Sequence, residues 1–191
     1  MNLVLASTSI YRKELLSRLG LPFETAAPAV DETPLAGETP KQLVRRLAEA
    51  KARAVAERHP NALIIGSDQV AVIDDEILGK PMNHERATEQ LHKVSGKALL
   101  FITGLCVYNS HTGRSRVDTA PFTVVFRLLS ERQIENYLRR EQPYHCAGAF
   151  KSEALGVALC ERLTGDDPTA LIGLPLIQLT RMLEREGVAV I

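Results

Sequence analysis

Two long segments with the pattern of β-strands, residues 99–108 and 116–128, limit the possible folds of this chain more than any other feature. The polar turn from Asn109 to Gly113 joins them, so the sequence predicts a long antiparallel hairpin. Apolar residues stand at alternate positions from 122 to 128, as expected for a strand with one buried face. Elsewhere short strand patterns alternate irregularly with helical ones. This combination favours an α/β fold with a mixed sheet over a purely parallel, doubly wound one.

The remaining elements follow from apolar spacing and from capping residues. Ser7-Thr8-Ser9 offers hydroxyl caps for a first helix that Gly20 ends, and Thr39-Pro40-Lys41-Gln42 and Ser130-Glu131-Arg132-Gln133 have the pattern of capping boxes. The predicted strands are 2–6, 22–27 and 61–73. The predicted helices are 41–59, 84–94, 130–140 and 175–186. Residues 28–40 and 143–170 are expected to be irregular. No repeat or linker is visible, so residues 1–191 are expected to form a single domain.

Charge and size exclude several classes of protein. The 191 residues contain 23 Lys plus Arg and 23 Asp plus Glu, so the net charge is zero, which argues against a protein that binds a nucleic acid polymer or an acidic membrane through bulk charge. A hydrophobic share of 45% is too high for a disordered chain. At this size about 70% of the unfolded surface can be buried, which suffices for a core without disulfides. A small local basic site remains compatible with these numbers.

Cysteine usage and the amino terminus indicate the compartment. Cys106, Cys146 and Cys160 are odd in number and none forms a Cys-x-x-Cys motif, which fits a reducing environment. The first apolar segment is interrupted after Ala6 and is too short for a signal peptide. No segment approaches the ~20 apolar residues of a membrane span. We therefore expect a cytoplasmic protein without a membrane partner.

The strand-to-helix junction at residues 6–13 is the first candidate for binding chemistry. A helix N-terminus presents free N–H groups and a positive dipole end, which suit an anion. Ser7 and Ser9 add hydroxyls there, and Arg12 and Lys13 add positive charge where the dipole disfavours it. An anionic ligand would account for these cations; the alternative is a capped helix with solvated basic residues.

Two acidic segments could supply carboxylates for a metal or a general base. Asp31-Glu32-Thr33 lies in the Pro-rich loop, where carboxylates can bind a hard cation such as Mg²⁺, although a solvated acidic turn has the same pattern. Gly66-Ser67-Asp68-Gln69 follows the apolar residues 62–65. Because the strand pattern continues beyond it, Asp68 is expected to lie within the sheet, where a carboxylate needs a partner.

Three further motifs are ambiguous on their own. Lys51 falls close to the apolar stripe of the second helix, where it either reaches water or pairs with an anion. Gly79-Lys80-Pro81 lacks the rest of a Walker motif. His145-Cys146 supplies too few ligands for zinc.

Taken together, the motifs resemble the Maf-like nucleotide pyrophosphatases over essentially the whole chain. The resemblance rests on Ala6-Ser7-Thr8-Ser9 with Arg12, Val30-Asp31-Glu32-Thr33, Lys51, Gly66-Ser67-Asp68, Gly79-Lys80-Pro81 and Ala147-Gly148-Ala149-Phe150. It implies an elongated mixed sheet with flanking helices and two lobes around a deep cleft, related to the inosine-triphosphate pyrophosphatases. It also implies metal-dependent hydrolysis of a nucleoside triphosphate to a monophosphate and pyrophosphate.

Three positions resemble the YceF-like branch of that family, which acts on 7-methyl-GTP. They are Tyr11, Gln69 and Glu153. The branch often has Trp where Tyr11 stands, and Lys13 replaces a commonly found Arg. A carboxylate at position 153 could accept both donors of the guanine Watson–Crick edge, and Tyr11 could stack on the cationic methylated base.

The resemblance implies a role for each site residue. Asp68 and Glu32 are expected to bind Mg²⁺ or Mn²⁺ and to orient the attacking water, with Asp68 as general base. The triphosphate is expected to contact Ser7, Ser9, Arg12, Lys13, Lys51 and Lys80. A dTTP/UTP-type pyrophosphatase and a non-catalytic nucleotide-binding regulator of septum formation remain as alternatives, and a homodimer is compatible with the family.

Overall fold

The computed structural model describes residues 1–191 and contains a seven-stranded mixed sheet. The strands are β1 (Asn2–Leu5), β2 (Glu24–Thr25), β3 (Ala62–Ile73), β4 (Glu76–Leu78), β5 (Ala98–Asn109), β6 (Arg114–Phe126) and β7 (Cys160–Thr164). Their order is β2-β1-β3-β5-β6-β7, and β4 pairs with β3. β1 runs parallel to β2 and β3, whereas the β3–β4 and β6–β7 pairs are antiparallel. The predicted mixed α/β fold is confirmed.

Six α-helices accompany the sheet. They are α1 (Ile10–Ser17), α2 (Pro40–Ala54), α3 (His84–Val94), α4 (Glu131–Glu141), α5 (Pro168–Ile172) and α6 (Leu176–Arg185), with short 3₁₀ turns at Ala56–Arg58, Ala147–Ala149 and Leu155–Leu159. Both predicted capping boxes are present, on Thr39 and on Ser130. No helix combines the length and apolar character needed to cross a membrane.

Several predicted boundaries were wrong. The second long strand ends at Phe126 rather than at residue 128, and Leu128 is exposed rather than part of the buried face. Residues 143–170 are not irregular throughout, because β7 and the start of α5 lie within them. β7 has no alternation of buried and exposed residues to reveal it, since residues 161–164 are all exposed, and only its pairing with β6 defines it. The predicted strand 22–27 is reduced to the two residues that pair with β1, and the second helix ends at Ala54 rather than near His59.

The chain divides into two compact units. The first comprises Met1–Gln69, Thr103–Ala120 and Asp167–Ile191, and the second comprises Val70–Ile102 and Pro121–Asp166. Three of the four points where the chain passes from one unit to the other lie inside strands β3, β5 and β6.

In the first unit, alternate residues of β1 are buried on opposite faces of the sheet. Leu3 and Leu5 join a cluster with residues of α1 and α6, whereas Val4 packs with residues of α2. Buried residues on both faces explain why β1 reads as a continuous apolar run. Cys106 is fully buried in the α2 cluster and acts as a core residue.

Two glycines allow α2 to lie directly against the sheet. A Cβ on Gly66 of β3 would be 2.0 Å from the carbonyl oxygen of Ala48, and one on Gly104 of β5 would be 2.2 Å from that of Val44. Both obstacles are backbone atoms, so no side-chain rearrangement would relieve them. The glycines therefore bring the backbone of α2, and with it Lys51, close to β3.

Candidate functional site

A buried lysine joins two carboxylates at the centre of the candidate site. Lys51 Nζ lies 2.6 Å from Asp68 Oδ1 and 2.6 Å from Glu32 Oε1. The side chains of Lys51 and Asp68 are 8% and 10% exposed, whereas that of Glu32 is 57% exposed. Of the two alternatives for Lys51, pairing with an anion is therefore the correct one. The structure also gives Asp68 the partner that a carboxylate within a strand requires.

The alternation of β3 separates the side chains of its polar segment. Gly66 lies under α2, and Asp68 bonds to a lysine of α2, whereas Ser67 and Gln69 bond to backbone carbonyls of the α5 region. Successive side chains of a strand point to opposite faces, so one short segment serves both faces of the sheet. Asp68 lies within the sheet, as predicted.

The end of β1 leaves room for the start of α1 beside this segment. The Ala6 N–H donates to the Ile65 carbonyl oxygen just after the last paired residues of β1 and β3. Strand β3 then continues to Ile73 with no residue of β1 beside it. Ser7 and Ser9 lie in the turn that follows. The Ser7 Oγ accepts from the Ser9 N–H at 3.1 Å, and the Ser9 Oγ accepts from the Arg12 N–H at 3.4 Å. Both hydroxyls thus support the helix start that the sequence predicted.

Arg12 lies close to the two carboxylates, whereas Lys13 is exposed. The Arg12 Nε donates to the carbonyl oxygen of Gly173 at 2.9 Å. Burial lowers the pKa of Arg12, and the negative charges of Asp68 and Glu32 oppose that shift. A guanidinium remains protonated despite such a shift, so a second positive charge stands near the carboxylates. Tyr11, the neighbouring residue, is half-buried.

The loop that carries Glu32 is held by an arginine of α2. The Arg46 Nε and Nη2 donate to the Glu38 carboxylate at 2.6 and 2.7 Å, and the Nη2 also donates to the Thr33 carbonyl oxygen at 3.1 Å. The bonds from Arg46 lower the pKa of Glu38 to about 2. Asp31 accepts from the N–H and the hydroxyl of Thr33, so it stabilises the turn rather than contacting Lys51.

Sequence reasoning missed a second group of polar residues, in the α5 region. Asp167 is 5% exposed; its carboxylate accepts from the N–H groups of Thr169 and Ile177, near the starts of α5 and α6. Thr103 of β5 is fully buried and donates to the Ala170 carbonyl oxygen at 2.8 Å. Asp167 was recognisable from the sequence as an N-cap, because Pro168 follows it at the first helical position. No local pattern marks Thr103.

Lys80 and Glu153 belong to the second unit, and both are exposed. Glu153 lies on a loop that α4 holds at both ends. Tyr137 accepts from the Lys151 N–H at 3.0 Å, and the Glu141 carboxylate accepts from the Leu155 N–H at 3.0 Å. The roles of Lys80 and Glu153 stay predictions.

No group of three or more His, Cys, Asp or Glu side chains is arranged to hold a metal ion. The two predicted ligands, Glu32 and Asp68, both contact the Lys51 ammonium.

Comparisons with known proteins agree with the motifs. The Maf-like protein family matches residues 2–186. Three proteins named 7-methyl-GTP pyrophosphatase are similar to this chain over 189 residues, or 99% of its length. The protein from Nitrosococcus oceani is 60% identical and that from Nitrosospira multiformis is 58% identical, with 95% and 96% of their own lengths covered. The protein from Methylobacillus flagellatus is 56% identical, with 98% of its length covered. The solved structure of the Staphylococcus aureus Ham1 protein aligns with a TM-score of 0.46 at 13% identity, over 66% of this chain and 72% of that one. The family match over residues 2–186 and the three relatives that cover 99% of the chain show that it belongs to the Maf-like protein family.

Proposed function

We propose that this protein is a nucleoside triphosphate pyrophosphatase that hydrolyses 7-methyl-GTP to 7-methyl-GMP and pyrophosphate. The observation that carries the proposal is the full-length match, at 56–60% identity, to three proteins named for this activity. The arrangement of Lys51, Asp68 and Glu32 supports it, because charged groups that a fold does not need for packing are typical of a reaction site.

The cations of the site are suited to a triphosphate. Arg12 and Lys51 stand beside the carboxylates, and Lys13 and Lys80 are exposed, so that their long side chains can move to a ligand. In the proposed mechanism these four groups hold the phosphates and neutralise the charge that develops on the departing pyrophosphate. The hydroxyls of Ser7 and Ser9 accept bonds from the backbone, and their own protons are available to phosphate oxygens.

The chemistry of Glu32 and Asp68 fits a divalent cation such as Mg²⁺ or Mn²⁺. Both present hard carboxylate oxygens, and both already lie within 2.6 Å of one positive group. Mg²⁺ is commonly bound by two protein carboxylates, and the phosphates of the substrate complete its ligand set. When bound there, the cation would polarise the phosphate as a Lewis acid.

Asp68 is the proposed general base. Its carboxylate accepts a proton from the water whose oxygen forms the new bond to the α-phosphorus. The bond between the α-phosphorus and the oxygen leading to the β-phosphorus breaks, and that oxygen leaves with the electron pair as part of pyrophosphate. Before nucleotide and cation bind, Lys51 holds the Asp68 carboxylate in place through Oδ1. For the base, Glu153 is proposed to accept from guanine N–H donors, and Tyr11 to stack on the methylated ring.

A nucleotide panel tests the proposal. Purified protein is incubated with 7-methyl-GTP, GTP, dTTP and UTP, with Mg²⁺ or Mn²⁺ and with chelator, and the release of pyrophosphate and monophosphate is measured. We expect 7-methyl-GTP to be preferred, Asp68→Asn to lose at least ~100-fold in kcat, and Glu153→Gln to weaken cleavage of 7-methyl-GTP far more than cleavage of UTP. Preference for dTTP or UTP would assign the chain to the other type of pyrophosphatase, and no release from any nucleotide would favour the regulator.

A further inference from the structure

The side-chain amide of Gln69 is held by three oxygen atoms of the first unit. Its Nε2 lies 2.9 Å from Thr103 Oγ1, 2.8 Å from the Ala170 carbonyl oxygen and 3.1 Å from the Leu171 carbonyl oxygen. Gln69 is half-buried, and its Oε1 is not among the buried oxygen atoms that lack a partner. The protein therefore engages one end of this amide and leaves the other accessible.

The identity of the bonded end follows from the chemistry of its partners. Backbone carbonyl oxygens only accept hydrogen bonds, so the end of the amide that faces Ala170 and Leu171 must be the NH₂ group. A flipped amide would set its oxygen against two carbonyl oxygens. Thr103 reinforces this orientation, because its hydroxyl proton goes to the Ala170 carbonyl oxygen at 2.8 Å and its oxygen is left to accept from Gln69. Both protons of the NH₂ group are thereby used.

The carbonyls themselves are held in place. The Asp167 carboxylate accepts from the N–H groups of Thr169 and Ile177, and the Thr169 hydroxyl accepts from the Leu176 N–H at 2.8 Å. The α5 region therefore presents its carbonyl oxygens from a fixed position, and the orientation of Gln69 is set before any ligand arrives.

We propose that Thr103, together with the α5 carbonyls, makes Gln69 a hydrogen-bond acceptor only, so that its Oε1 selects a base with an N–H donor at that position. A guanine-type edge, with its ring N–H and exocyclic amine, satisfies this requirement. Uracil and thymine carry a single ring N–H, at N3, between two carbonyl oxygens, so most of their edge opposes an acceptor. Thr103 is a positioning residue in this scheme, and the inference rests on the proposed function.

Three variants test the inference. Thr103→Val keeps the shape of the side chain but removes the hydroxyl, Thr103→Ser keeps the hydroxyl, and Gln69→Met removes the amide. We expect Thr103→Val to lower the ratio of kcat/KM for 7-methyl-GTP to that for UTP about tenfold, mainly through KM, and Thr103→Ser to restore most of it. Gln69→Met should lower the ratio at least as far. Calorimetric titration with 7-methyl-GMP and UMP measures the same preference without catalysis. Thr88→Val is the matched control, because the Thr88 hydroxyl also donates to a carbonyl oxygen but within α3 of the other unit.

The outcomes separate this inference from the proposed function. Absence of nucleotide cleavage by the unsubstituted protein would refute the proposed function. Normal cleavage of 7-methyl-GTP with an unchanged ratio in Thr103→Val and Gln69→Met would refute the inference alone. Equal losses in Thr103→Val and Thr103→Ser would also refute it, because they would show that the residue matters for packing rather than for its hydroxyl.

Discussion

Replacement of Lys51 by Met removes the cation that two carboxylates share. Asp68 would be left buried without its ion-pair partner, and such a loss costs about 3–5 kcal/mol. The contact with Glu32 adds less than ~1 kcal/mol, because that side chain is 57% exposed and can turn to water. Arg12 remains near both acids and offsets part of the loss, so we expect a decrease of about 3 kcal/mol in the free energy of unfolding.

Thermal and urea unfolding measure this loss. For 191 residues the unfolding entropy at the midpoint is about 400 cal/mol/K, so the expected decrease in Tm is about 7 °C. Lys41→Met is the control, because Lys41 is exposed on the same helix, and its Tm should change by about 1 °C or less. In the Lys51→Met background, Asp68→Asn should restore stability, whereas the same substitution in the unsubstituted protein should reduce it. A loss of less than ~1 kcal/mol in Lys51→Met would contradict the prediction. The same effect of Asp68→Asn in both backgrounds would also contradict it.

Three further predictions concern packing, pH and thiol reactivity. Gly66→Ala forces a Cβ into the backbone of α2 and should lower the free energy of unfolding, measured in urea, by about 2 kcal/mol or more. Gly79→Ala is the control, because a Cβ there meets nothing within 4 Å, and it should change the free energy little. Similar losses for both variants would contradict the close approach of α2. The pKa of Glu38 is lowered from 4.5 to about 2, so the stability that its ionised form contributes is present above pH 4.5 and is lost as the pH falls toward 2. The difference in Tm between Glu38→Gln and the unsubstituted protein should therefore become smaller between pH 4.5 and pH 2. A constant difference would refute the ion pair with Arg46. Burial raises the pKa of Cys106 to about 12 and that of Cys160 to about 11, which reduces the fraction of reactive thiolate. Alkylation by iodoacetamide at pH 8, followed by mass spectrometry, should therefore be much slower in the native protein than in urea. Fast labelling of Cys106 in the native protein would contradict its burial.

The parts of the fold that were predictable are those with a local signal. Capping boxes at Thr39 and Ser130 fixed two helix starts, because a cap depends only on residues three positions apart. Strand β7 could not be predicted, since its residues after Cys160 are exposed and its existence depends on a partner strand distant in sequence.

The candidate site divides in the same way. Lys51, Asp68 and Glu32 were each identified from the sequence. Lys51 and Asp68 are 17 positions apart, and only the packing of α2 on β3, which no local pattern describes, brings them together. Thr103 was not predicted at all. A threonine inside an apolar strand has no signature of its own, and its role follows from carbonyls that are 67 residues away along the chain.

The grouping of Lys51 and Arg12 with Asp68 and Glu32 has a consequence for binding order. These two positive and two negative groups together carry no net charge. A polyphosphate that entered alone could attract the two cations only by leaving two carboxylates uncompensated beside it, one of them buried. A divalent cation that enters with it removes this conflict, because the carboxylates then exchange one positive partner for another. Under the proposed function, nucleotide and metal are therefore expected to bind with positive coupling, each strengthening the affinity of the other by the same factor.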